Sequence, residues 1–142
     1  MKNQMRLEFD SVSANEAFAR VTVAAFMTQM NPSMEEVADV KTAVSEAVTN
    51  AVIHGYHGEV HKITITGEIE DDWLMISVED QGVGIADVEK AMEPLYTTRP
   101  ELERSGMGFL FMEAFMDEVR VESEPGKGTS VFMKKRIGRR EA

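Results

Sequence analysis

Cysteine is absent from the 142 residues. That excludes disulfides, thiolate zinc sites and cysteine nucleophiles together, and it fits a reducing, cytoplasmic setting. No apolar run approaches the ~20 residues of a membrane span. Met1 to Asp10 alternates polar and apolar residues and lacks the continuous apolar centre of a signal peptide. A Walker P-loop, G-x-x-x-x-G-K-[ST], is also missing, so a bound nucleotide needs another phosphate cradle. Basic residues are the scarcer sign: 15 Lys and Arg stand against 25 Asp and Glu, a formal net charge of −10. An acidic chain repels nucleic-acid phosphates, which argues against direct DNA or RNA binding and suits a basic protein partner. Five of the fifteen basic residues, Lys134, Lys135, Arg136, Arg139 and Arg140, cluster at the C-terminus as a solvated strand end and basic tail, about 134–142.

What is present predicts one domain over 1–142. A chain of this size buries roughly 70% of the surface its unfolded form exposes, enough for a real core. Leu7 and Phe9 alternate with charged neighbours, so residues 4–10 read as a strand. Ser13 with Glu16, and Ser33 with Glu36, have the S-x-x-E spacing of a capping box, each opening a helix. The first helix runs to Asn31-Pro32. The second carries Val37, Val40, Val44, Ala47, Val48 and Ala51 at spacings of three and four and stops at Gly55. Alternation then predicts a hairpin through Ile63–Ile69 and Leu74–Val78, turning at Glu70-Asp71-Asp72. Residues of about 85–105 have no strong period and read as a flexible lid with a short helix. A helix over about 107–116 and a final hairpin turning at Pro125–Gly128 complete the chain. The order predicts a two-layer α/β sandwich, a mixed sheet with helices on one face. Met30, Met112 and Met116 sit where core filler belongs; Met27, Met34 and Met107 are open to contact surface, with core filling the better reading for most.

Four short motifs carry chemistry. Glu46, Asn50 and His54 are spaced i, i+4, i+8 and form one stripe beside the apolar face of the second helix. Polar groups in such a place are costly unless something polar meets them. Asn50 can supply an oxygen to Mg²⁺, and Glu46, one turn away, can take a proton from an attacking hydroxyl. Asp80-Gln81-Gly82-Val83-Gly84 is a D-x-G-x-G at a strand end. Its aspartate can accept from an exocyclic amine such as adenine's, and Gly82 and Gly84 allow close approach to a ligand. Arg104-Ser105-Gly106-Met107-Gly108 opens a helix, where backbone N–H groups and the helix dipole bind phosphate. Gly126-Lys127-Gly128-Thr129 is a tight turn whose Thr129 can donate toward the base or a bound water. Read singly, the second and fourth are better explained as plain turns, and the first and third equally as a solvated seam and a hinge.

In combination and in this order the motifs resemble the ATP-binding domain shared by gyrase, the Hsp90 chaperone, histidine kinases and MutL-type ATPases, over essentially the whole chain. The resemblance implies the Bergerat-type fold, an ATP or ADP ligand with Mg²⁺, and a lid between the second and third motifs. Gyrase-, chaperone- and repair-type relatives, like histidine kinases, carry further domains that 142 residues leave no space for. The stand-alone members remain. Asn15–Ala24 (NEAFARVTVA), Ser45–Tyr56 (SEAVTNAVIHGY) and Pro94–Phe109 (PLYTTRPELERSGMGF) are similar to the sporulation anti-sigma F family, and less so to the stress-response anti-sigma B family.

That resemblance implies a homodimer that holds a sigma factor and phosphorylates a serine of an anti-anti-sigma protein. Glu46 would be the general base and Asn50 the Mg²⁺ ligand, with His54 beside them. Asp80 would read adenine, with Thr129 nearby. Gly82, Gly84, Gly106 and Gly108 would shape pocket and lid, flanked by Ser105 and Met107. Arg20 would contact partners, and Arg104 phosphates or partner. First-strand and first-helix residues would form the dimer interface. Two other readings stay open: a nucleotide-gated binding module without kinase activity, and an excised histidine-kinase catalytic domain. The loop His57–His61 is slightly short for the family, and its histidines read as solvated and not as metal ligands.

Overall fold

The computed structural model describes residues 1–85 and 108–138. Most of the expected lid, including Arg104 and Ser105, then Gly106 and Met107 of the third motif, and the tail residues 139–142 lie outside the described residues.

The chain begins with β1 (Lys2–Asp10), followed by α1 (Asn15–Met27), a 3₁₀ turn (Thr28–Met30) and α2 (Met34–Asn50). A π-helical turn, Ala51–Gly55, continues α2. Then come β2 (Lys62–Glu70), β3 (Trp73–Asp80), α3 (Gly108–Phe115), β4 (Glu118–Glu124) and β5 (Gly128–Arg136). The five strands form one sheet in the order β1-β2-β3-β5-β4. The helices cover one face of it, so the two-layer α/β expectation holds.

The sheet is not mixed, however. All four pairings are antiparallel. The reason lies in α1 and α2. A single crossover helix would return the chain for a parallel strand. Two successive helices bring it back to the end where β1 finished, so Lys62 starts β2 opposite Asp10.

Period-2 and period-3.6 patterns meet in a single core. Ile63, Ile65 and Ile69 of β2 and Leu74, Ile76 and Val78 of β3 face Val40, Val44 and Val48 of α2, with Val23 and Met27 of α1 completing the layer. Each such side chain, fully buried, contributes roughly 1.5–3 kcal/mol. Met112 and Met116 are core as expected, and Met30 packs against the core. Met27 is core filler and not contact surface: it is fully buried, on the inner face of α1 with Ala19 and Val23. Met34 is exposed, as a contact-surface position would be.

The two S-x-x-E sequences part company. Ser33 caps α2 in full: its side chain accepts from the Glu36 N–H at 3.1 Å, and Glu36 accepts from the Ser33 N–H at 2.8 Å. Ser13 caps nothing. Helix α1 has Ala14 at its N-cap, with no side-chain cap bond. Glu16 instead accepts from Arg20 one turn on, at 2.6 Å.

At the C-terminal end, Lys134, Lys135 and Arg136 are strand residues with partners. Lys134 lies over the Trp73 ring, Lys135 donates to the Phe115 carbonyl at the end of α3, and Arg136 pairs with Asp72. No helix among the described residues is long and apolar enough to cross a membrane.

Candidate functional site

Helix α2, the end of β3, the start of α3 and the β4–β5 turn converge on one end of the sandwich. Glu46 and Asn50 lie one α-helical turn apart on α2 and are both half-buried. The first residue of α3 lies against them. A Cβ built on Gly108 would come within 3.1 Å of Glu46 Oε2 and 3.4 Å of Asn50 Nδ2. Among the described side chains, Asn50 Nδ2 is the one buried polar atom without a hydrogen-bond partner. A buried amide end in that state costs about 1–3 kcal/mol unless a ligand meets it. Turned over, the same amide presents its oxygen, and oxygen and nitrogen ends are told apart only by their partners.

His54 does not continue the stripe as an α-helix would place it. It falls in the π-helical turn, where the Tyr56 N–H reaches back five residues to the Ala51 carbonyl at 3.1 Å. Such wide turns recur at functional sites. Here the turn delivers Gly55 to the end of β3. A Cβ on Gly55 would lie 2.9 Å from the Asp80 carboxyl carbon, and the Gly55 carbonyl accepts from the Val83 N–H at 2.9 Å.

Asp80 is 6% exposed and the only buried charged residue among those described. Its carboxyl accepts from the Gly82 N–H at 2.9 Å and from the Thr129 backbone. Burial pushes its pKa above the ordinary carboxylate range, and the two N–H bonds oppose that rise. The glycines of the D-x-G-x-G have a reason the sequence did not show: they make room for the protein's own backbone. A Cβ on Gly82 would sit 2.0 Å from the Gly55 carbonyl oxygen. One on Gly84, whose φ is +77°, would sit 2.1 Å from the Glu124 carbonyl oxygen.

Thr129 stands opposite Asp80 in the β3–β5 register. Its hydroxyl is 2.8 Å from the Ser123 hydroxyl. Two side chains that sequence reasoning passed over complete this end. Tyr56, buried, donates from its hydroxyl to the Lys62 carbonyl at 2.6 Å and accepts from the Gln81 N–H at 2.7 Å. Ser123 accepts from the Ile85 N–H at 2.7 Å and donates to the Gly128 carbonyl at 2.9 Å. Neither stands in a motif. The sequence signals for Tyr56 were its place directly after Gly55 and its position at the end of the family-like stretch Ser45–Tyr56.

Arg20 lies away from this cluster's chemistry, on α1, paired with Glu16 beside the exposed Phe18 and Val21. Among the described residues no three His, Asp or Glu side chains cluster as a metal site. His61 is tied into its loop, its N–H donating to Ser11 and its ring 4.9 Å from that of Tyr56.

The arrangement thus has two ends. One offers a carboxylate and an unpartnered amide at the start of a helix, which suits phosphate and a cation held partly by phosphate oxygens. The other offers a buried acceptor, which suits an amine-bearing ring. Comparison with known proteins agrees. The histidine kinase-like ATPase domain matches residues 10–135. An anti-sigma F factor of Oceanobacillus iheyensis is 59% identical over 98% of this chain and 96% of its own length. That of Clostridium acetobutylicum is 60% identical over 96% of each chain. A solved structure of the RsbU and RsbW domains of Rv1364c from Mycobacterium tuberculosis shares the fold, with a TM-score of 0.69 at 19% identity. It aligns over 97% of this chain, which spans 33% of that longer one.

Proposed function

Because the chain belongs to the histidine kinase-like ATPase domain family and, within it, to the anti-sigma F factors, we propose that it binds a sigma factor and phosphorylates a serine of an anti-anti-sigma protein with Mg-ATP. The observation that carries the kinase part is the set of Glu46 and orphaned Asn50 against Gly108. Binding a nucleotide alone needs no carboxylate there, whereas transfer to a hydroxyl uses one as a base.

Mg-ATP, when bound, supplies the transferable phosphoryl group and the cation that offsets its charge. Asn50 is the side chain that would hold the cation, with phosphate oxygens as its other ligands. The backbone N–H groups that open α3 have no intrahelical acceptors and bind phosphate oxygens. Asp80 accepts from the adenine amine, with Thr129 beside it. Glu46 orients the incoming serine hydroxyl and takes its proton. His54, Arg104, Ser105, Gly106 and Met107 keep the nucleotide-contact roles that the resemblance implies, and the 85–105 segment that of a lid. Arg20, on the exposed side of α1, contacts the protein partners, and a second copy of the chain completes a homodimer. The net charge of −10 favours encounter with a basic partner surface.

The test is the intact mass of the anti-anti-sigma protein after incubation with this chain and Mg-ATP. Gain of one phosphoryl group is expected. With Glu46→Ala the rate falls about 10²–10⁴-fold while ADP affinity stays within a few-fold. No gain by the wild-type chain, with nucleotide and partner both bound, would leave a nucleotide-gated binding module in place of a kinase.

A further inference from the structure

The segment that carries the base-reading carboxylate is held mostly by groups outside the strand ladder. Register pairing ends at Asp80. Beyond it the Gly82 N–H goes to Asp80 itself, the Val83 N–H to the Gly55 carbonyl, and the Val83 carbonyl to the Gly126 N–H at 2.7 Å. The two outer N–H groups of the loop, on Gln81 and Ile85, each go to a side-chain hydroxyl from a different element. Tyr56, just past the π turn, takes Gln81; Ser123, on β4, takes Ile85.

The proton count at both hydroxyls closes. A hydroxyl has one donor and two acceptor positions. Tyr56 spends its proton on Lys62 and accepts from Gln81. Ser123 spends its proton on Gly128, accepts from Ile85, and has one lone pair left for the Thr129 hydroxyl at 2.8 Å. In that arrangement the Thr129 proton points inward to Ser123, so Thr129 offers only acceptor lone pairs to the pocket, in place of the donor its sequence suggested. Asp80 and Thr129 then form a pair of acceptors opposite each other in register. A purine 6-amino group has two protons to give.

We propose that Tyr56 and Ser123 are positioning residues whose hydroxyls hold Asp80 and Thr129 as paired acceptors for the purine 6-amino group. The proposal rests on the ATP-site reading and adds to it the residues that set base specificity. Gln81 held by Tyr56 fixes the backbone that carries the Asp80 carboxyl. Ser123 fixes the Thr129 hydroxyl and the point where the chain leaves for residue 86.

The experiment compares ADP with purine riboside 5′-diphosphate, which lacks only the 6-amino group, by calorimetric titration of the full chain. The wild-type chain is expected to prefer ADP about tenfold or more, the worth of a hydrogen bond to a charged group. Tyr56→Phe keeps the ring and Ser123→Ala the strand. Each is expected to cut that preference to about threefold or less, chiefly by weakening ADP. A merely structural role would weaken both ligands alike, and an unchanged preference in folded variants overturns the proposal. Should Tyr56→Phe fail to fold by circular dichroism, Ser123→Ala alone decides. A wild-type chain that binds both ligands equally overturns this proposal and leaves the nucleotide site standing. One that binds neither overturns the ATP-site reading and the proposal with it.

Discussion

Asp80 is the only buried charged residue among those described. Its pKa is raised, first by loss of solvent, and the N–H groups of Gly82 and Thr129 only partly offset this. In the pH window between the ordinary carboxylate value of about 4 and the raised one, the folded chain binds more protons than the unfolded chain. Stability from this group is therefore present at low pH and lost as pH rises through the window. Asp80→Asn keeps an acceptor for the Gly82 N–H and removes the titration. Urea midpoints measured from pH 4 upward should show the wild type losing stability relative to the variant as pH rises. Parallel curves would mean that the carboxyl ionises as freely in the fold as outside it. An ionised Asp80 is thus a cost that a bound amine, donating to the carboxylate, would relieve.

At the scale of elements, two identical spacings behave differently. Ser33 closes a reciprocal cap on α2, and Glu36 also accepts from the Gly138 N–H at 3.0 Å, tying the helix start to the end of β5. Ser13 precedes a helix whose nearby glutamate is already engaged by Arg20. Ser33→Ala should cost about 1 kcal/mol in urea unfolding. Ser13→Ala should stay within about 0.5 kcal/mol. Equal costs would mean that the second cap forms in solution as well. The pair shows what local pattern can and cannot decide. The periods of α2, β2 and β3 were legible because burial on one face selects them. The capping choice was not, because Arg20 competes for Glu16. The antiparallel sheet follows from counting two helices between β1 and β2, a matter of topology. The π turn was hidden as well: Ala51–Gly55 reads as continuing helix, and its wider winding accompanies a tertiary demand, Gly55 lying against Asp80 and Gly82.

The whole molecule gathers its candidate site from five separated stretches: Glu46 to Asn50, Gly55-Tyr56, Asp80 to Ile85, Gly108, and Ser123 to Thr129. The candidates Glu46, Asn50, Asp80, Gly82, Gly84 and Gly108 could be named from type and spacing, since carboxylates, amides and glycine pairs in that order are unusual. Tyr56 and Ser123 could not, because one tyrosine after a helix and one serine in a strand form no pattern. Only the β4–β5 register sets Ser123 opposite Thr129. A site built this way ties ligand binding to unfolding of the entire chain, because no single element can hold the nucleotide once the others leave. ADP at a hundred times its Kd stabilises the folded state by about 2.7 kcal/mol. For a chain of this length that raises Tm by roughly 8–10 °C. Scanning calorimetry should show one transition, with and without ADP, moving as a unit. A trace that splits, with only one part shifted by ADP, would show that the strands and helices flanking the site unfold independently of the rest, and the single cooperative domain would have to be given up.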